Sequence, residues 1–158
     1  MFRYYIIAIL ALFIDQVTKW AVATYMTMGQ SIPLIAGVFH LTSHRNRGAA
    51  FGILQNQRLF FIVVTSVVVV GILVYLRKIY REQKLLSYGL AFILGGALGN
   101  FLDRTVKGEV VDMLDFRLIN YPIFNLADSF IVTGVMLVMI DTIIASKKDK
   151  KASPSLTE

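Results

Sequence analysis

The chain has 158 residues, 56% of them hydrophobic and only 16% charged, with a mean hydropathy of +0.66. That is the length of one domain, and soluble domains are roughly 25% charged, so the deficit points to a membrane protein. The absence of cysteine excludes disulfides, thiolate nucleophiles and cysteine metal sites, and two histidines, His40 and His44, are too few for a histidine-rich zinc site.

The first apolar stretch predicts a transmembrane helix over about residues 4–24, because about 20 residues at 1.5 Å rise cross the hydrocarbon core. A cleaved secretory leader is the lesser reading, since the polar Asp15-Gln-Val-Thr-Lys19 cluster interrupts the run and three more spans follow. Residues 25–57 form a first long loop. Within it Ser31–Ile35 and Val38–Thr42 are β-prone with a glycine between them, which predicts strands of a small sheet outside the bilayer. Leu59–Leu76 is uncharged between Arg58 and Arg77, giving a second span. A short basic turn leads into the third span, over about 85–104, which carries the GxxxG spacing Gly95 to Gly99 that lets helices approach closely. Residues 105–122 read as a second long polar loop. The fourth span covers about 123–145, with Asp128 near its start and Asp141 near its end, and residues 147–158 read as a disordered basic tail.

The expected architecture is therefore an all-α membrane protein, a four-helix bundle with a small β-cradle in the first outer loop and a single domain over 1–146. Four spans put both termini on one side. Arg3, the 77–84 turn and the tail hold nine of the sixteen basic residues, so the positive-inside rule makes that side cytoplasmic. The net charge of +6 is then a topology signal and not a nucleic-acid footprint. The tail lysines are expected near anionic lipid headgroups.

Asp103, Glu109, Asp112, Asp115 and Asp128 all fall on the outer side, at the boundary of the third and fourth spans. A carboxylate within a span costs at least about 2.5–3.5 kcal/mol at the centre and is usually paired or functional. Asp15 and Lys19 are one turn apart, so they form either a self-contained pair or a support for a site. Asn100, Asp103 and Arg104 share a helical face, where an Asp103–Arg104 pair could simply anchor the helix end. Asn125 and Asp128 share another. Asp128 has no basic neighbour in the chain, so its carboxyl is partly desolvated, and a second carboxylate beside it would share one proton. Such a pair can hydrolyse an amide without metal, thiol or histidine. Spacing leaves the partner open among Asp112, Asp103 and Asp115, and an interfacial acid cluster balancing Arg104, Lys107 and Arg117 is the plainer alternative. By itself Asn46 reads as a turn residue. His40 and His44 read as loop or sheet residues.

Five segments in order then resemble the lipoprotein signal peptidases (signal peptidase II). They are Asp15-Gln-Val-Thr-Lys19, Asn46-Arg-Gly-Ala-Ala-Phe-Gly52, Gly99-Asn-Phe-Leu-Asp-Arg104, Val110-Val-Asp112 and Phe124-Asn-Leu-Ala-Asp128. The resemblance implies a bacterial membrane aspartyl endopeptidase that cuts diacylglyceryl-modified prolipoproteins just before the lipidated cysteine. It implies catalytic roles for Asp112 and Asp128, and places Asn46, Asn100, Asp103, Arg104 and Asn125 around them. Asp15 becomes a structural or supporting residue, and Asp115 is left without a role. The implied partners are the lipid-modified substrate and membrane lipid, with no cofactor and no metal, and the site faces the extracytoplasmic side. A small proton- or cation-coupled transporter is the rival reading, with acids spread through the membrane depth; a non-catalytic scaffold is the other.

Overall fold

The computed structural model describes residues 1–49, 53–119 and 121–152. Four long helices, α1 (Phe2–Tyr25), α2 (Arg58–Ile79), α3 (Lys84–Val106) and α4 (Leu126–Ala152), accompany three strands, β1 (Ser31–Ile35), β2 (Phe39–Asn46) and β3 (Val110–Phe116). All four helices are long and apolar enough to cross a membrane. The most apolar is α2, with a mean hydropathy of 2.9 over a stretch only 11% buried in the protein, and Val63, Val67, Val70 and Val74 are exposed. A helix this apolar with so little covering it needs lipid as its solvent.

At the centre of the bundle, α3 contacts α1, α2 and α4. Small residues make this possible, because without a hydrophobic drive between helices in lipid, packing depends on close backbone approach. A Cβ on Gly95 would lie 2.6 Å from the Ala8 carbonyl oxygen, and one on Gly89 would lie 2.7 Å from that of Gly134. Gly99 faces the Asp15 carboxylate, so the GxxxG pair packs against α1 inside the bundle. Gly96 lies under the first turn of α4, where an added Cβ would meet the Ala127 carbonyl oxygen and come within 2.8 Å of Ile131 Cγ1. Gly96→Ala is therefore expected to destabilise the protein by about 1–3 kcal/mol, the range for overpacking. The check is thermal unfolding in micelles against Gly71→Ala, whose Cβ would meet nothing within 4 Å; equal melting temperatures would contradict it. Away from the sheet, Tyr4, Leu76, Ile79, Leu90 and Leu94 form an apolar core joining α1, α2 and α3.

The strands pair antiparallel in the order β1-β2-β3. The β1–β2 hairpin turns through Gly37 at φ +73°, and the ladder between β2 and β3 runs from Phe39–Phe116 to Asn46–Val110. The expected strands at 31–35 and 38–42 are present, the second extending to Asn46. The cradle is not confined to the first loop, however: its third strand lies within 105–122, the stretch read as polar loop. Val111 and Met113 pack on Val22 of α1 and on Met26 just after it, so period-two alternation turns Asp112 to the other face. The acids of this segment hid a strand buried on both faces.

Helix ends also differ from expectation. α3 runs to Val106 and α4 starts at Leu126, while helix continues through 147–152, expected as disordered tail. The expectation for 153–158 lies outside the described residues.

Candidate active site

The first turn of α4 organises the site. A helix N-terminus leaves backbone N–H groups without intrahelical acceptors. Here Asn125 is the residue before the helix, and its Oδ1 accepts the N–H of Asp128 at 3.0 Å. The Asp128 carboxylate accepts the Asn125 N–H at 3.2 Å in return. This is a reciprocal capping box built from Asn and Asp. The Ala127 N–H donates to Asp15 Oδ1 at 2.9 Å, so α1 caps α4 as well. Phe124 exchanges backbone hydrogen bonds with Leu114 at 2.8 and 3.0 Å, tying the start of α4 to β3. Asp128 on α4 and Asp112 on β3 are thereby held at the same place.

Side-chain amides complete the arrangement. Asn125 Nδ2 donates to Asp112 Oδ1 at 2.6 Å, and Asn46 Nδ2, from the end of β2, donates to Asp112 Oδ2 at 2.9 Å. Asn100 Nδ2 donates to Asp128 Oδ1 at 2.8 Å. With the Asn125 N–H on Asp128 Oδ2, all four carboxyl oxygens accept an N–H from the protein. Asp112 is 2% exposed. Burial pushes its carboxyl up to about 6, and the neighbouring Asp128 charge adds to this, against the Asn46 and Asn125 hydrogen bonds and the Lys19 charge. A carboxyl that titrates near neutrality beside a second carboxylate is suited to proton transfer.

Behind the amides sits a buried ion cluster. Lys19 Nζ lies 2.8 Å from Asp15 and 2.9 Å from Asp103, all three side chains fully buried. Its third partner is Asn100 Oδ1 at 2.8 Å. An ammonium only donates, so Asn100 must turn its oxygen to Lys19 and its NH₂ to Asp128. Asn125 Nδ2 also reaches Asn100 Oδ1, at 3.2 Å. The Asp15–Lys19 pair therefore exists but is not self-contained; it couples to α3 and α4. Lys19 as a hub was missed, although a lysine within an apolar span, one turn from an aspartate, was its signal.

The expected Asp103–Arg104 pair does not form. Asp103 faces inward to Lys19, with Lys107 on its other oxygen at 3.2 Å, because adjacent helical residues point about 100° apart. Arg104 instead donates to the Gly48 carbonyl at 3.0 Å and lies over the Phe61 ring at 4.6 Å. Asn46 is both turn residue and ligand, since its Oδ1 accepts the Gly48 N–H at 2.9 Å. Asp115 stands apart, bound by Thr42 at 2.8 Å and Arg117 at 3.0 Å. Burial raises its carboxyl, but those hydrogen bonds and the Arg117 charge outweigh it and hold the group below the usual range. His40 is buried against Ser31, and His44 is exposed.

A cavity of about 320 Å³ opens onto this constellation, with Asn46, Arg104, Asp112, Asp128 and Tyr121 on its walls. On the far side of Asp128 lies an apolar recess of about 440 Å³ between Phe116, Ile119, Phe124 and Val132. Among the described residues, no group of three or more acids or histidines is arranged to hold a metal ion.

Proteins similar to this chain are known. The chain is 54% identical over 147 residues to a lipoprotein signal peptidase of Brevibacillus brevis, covering 93% of this chain and 99% of that protein. It is 50% identical over 150 residues to the lipoprotein signal peptidase of Bacillus subtilis, covering 94% and 97%. Two solved bacterial membrane enzymes superpose with TM-scores of 0.83 and 0.81, at 34% and 38% identity. The first match covers 100% of this chain and 94% of the solved one, the second 89% and 92%. The family model of signal peptidase (SPase) II, a peptidase family, matches residues 7–144. Since that match takes in every residue of the capped helix start, the amide ring and the ion cluster behind it, the chain belongs to the signal peptidase II family.

Proposed function

We propose that this peptidase removes the signal peptide from diacylglyceryl-modified prolipoproteins, cutting just before the lipidated cysteine, with Asp112 and Asp128 as its catalytic pair. The observation that carries the reading is the set of four N–H donors holding both carboxyl groups at the wall of one cavity. The pair works with one proton between them. The ionised carboxylate takes a proton from the attacking water while the protonated partner donates to the scissile carbonyl oxygen. Proton transfer to the leaving nitrogen then breaks the C–N bond. A proton shared in this way belongs to the pair. Arg104, fixed by the Gly48 carbonyl, presents its remaining N–H groups to the substrate main chain.

The site lies where the sheet meets the ends of α1, α3 and α4, at the extracytoplasmic boundary of the membrane in the proposed topology. A lipid-anchored substrate brings its scissile bond to that depth. A transporter is not favoured: Asp15, Asp103, Asp112 and Asp128 gather at one end of the bundle and do not line its length.

Membranes containing the protein should convert a lipidated precursor to signal-peptide-free product and leave a precursor with serine in place of the cysteine uncut. Equal processing of both, or of neither, would contradict the assignment. pH dependence gives a second check. As pH rises through about 6 the buried Asp112 proton is lost, both carboxylates become charged, and the acid is missing; kcat/KM should therefore fall on the alkaline side. The Asn46 hydrogen bond lowers the Asp112 pKa, so Asn46→Leu should move that limb upward. A limb that stays in place, or moves down, would show that Asp112 does not set it.

A further inference from the structure

A separate recess of about 310 Å³ lies between the start of α2, the end of α3 and the turn into β3, bordered by Arg47, Asn56, Arg58, Lys107, Gly108 and Glu109. None of these side chains hydrogen-bonds Asp112 or Asp128 among the described residues. Each of its three cations is anchored by a protein oxygen. Arg58 donates to the Thr105 carbonyl at 2.6 Å, Lys107 pairs with Asp103 at 3.2 Å, and Arg47 pairs with Glu109 at 3.0 Å. Gly108, at φ +78°, takes the left-handed conformation that lets the chain turn from α3 into β3 beside Arg58. Glu109, the acid on this wall, is shared between Arg47 and Arg45. An arginine has five donors and a lysine three, so every cation keeps N–H groups beyond its anchor. The wall thus carries three cations against the single acid Glu109, an excess of positive charge that attracts an anion.

The surroundings say which anion. Two guanidinium groups and an ammonium suit the tetrahedral oxygens of a phosphate. Arg58 opens α2 and Lys107 follows α3, so the cations stand where the apolar spans end, the level of lipid headgroups. Next to them, Leu59 and Val63 of α2 and Leu102 and Val106 of α3 are exposed apolar side chains. A row of cations above an apolar helix surface matches an amphiphile better than a soluble ion. We propose that this recess binds the phosphodiester headgroup of an anionic phospholipid, whose acyl chains run along α2 and α3. The diacylglyceryl group of the proposed substrate has no phosphate, so this lipid is a second ligand.

The test is native mass spectrometry of the purified full chain with phosphatidylglycerol or phosphatidylcholine of identical acyl chains. Phosphatidylglycerol should be retained in preference, and Arg58→Gln or Arg47→Gln should each lower its retention about fivefold, the effect of one basic residue near a charged surface. Arg58→Lys should restore most of it. Equal retention of the two lipids would overturn the proposal, as would wild-type retention in both glutamine variants. A melting temperature raised by inorganic phosphate as much as by phosphatidylglycerol would overturn the lipid assignment in favour of a free phosphate. Melting temperatures of all variants in detergent separate lost binding from lost folding.

Discussion

Asp128→Asn is expected to lower kcat/KM on a lipidated precursor by about 10³–10⁴-fold, the scale of general acid–base catalysis, and Asp112→Asn by a similar factor. In the proposed mechanism the pair shares a proton, which an amide cannot carry. The fold should survive both changes. Asn at position 128 can still accept the Asn125 N–H with its oxygen, and its backbone N–H still donates to Asn125 Oδ1, so both halves of the capping box persist. Its NH₂ then faces the NH₂ of Asn100, and Asn100 cannot flip to accept because Lys19 holds its oxygen. The structural cost is thus one hydrogen bond, about 1 kcal/mol, too little to explain a thousandfold loss. Melting temperature measured beside kcat/KM distinguishes the two. Activity within tenfold of wild type in either variant would remove that residue from the chemistry.

Lys19→Met should have the largest effect on stability. It leaves Asp15 and Asp103, both fully buried, without the cation between them. Breaking a buried charge cluster by deleting one member costs about 3–5 kcal/mol, because the remaining charges stay desolvated. Asn100 also loses the bond that fixes its orientation, so the surviving fraction should cleave more slowly. Lys19→Arg should not rescue fully, since a fully buried amine has no space for a guanidinium. Unfolding in mixed micelles measures the loss; a stability unchanged from wild type would mean that the cluster contributes nothing net.

Much of this was readable in the chain. Uncharged runs bounded by Arg58, Arg77 and Asp103 marked spans whose helices the structure shows. The three-residue spacing of Asn125 and Asp128 put both at one helix start, which proved to be a capping box. What was hidden depends on distance through space. Asp103, Asp112 and Asp115 occupy neighbouring positions, and spacing alone could not say which meets Asp128; the choice of Asp112 came from the resemblance. The strand carrying Asp112 was obscured because its polar face lies at the site and not in solvent, which spoils the usual reading of acids as loop. Arg104 and Asp103 found partners at Gly48 and Lys19, far along the chain. Their adjacency suggested a pair that helical geometry forbids.

The claim that Asp112 and Asp128 act as one unit is tested most directly by a double-mutant cycle on kcat/KM. Wild type, Asp112→Asn, Asp128→Asn and the double variant would be assayed on the same lipidated precursor in reconstituted membranes. If the pair shares one proton, either single change already removes the chemistry, and the double variant should be no slower than the singles. A double variant slowed by the product of the two single effects would show two groups acting independently and would contradict the shared-proton mechanism.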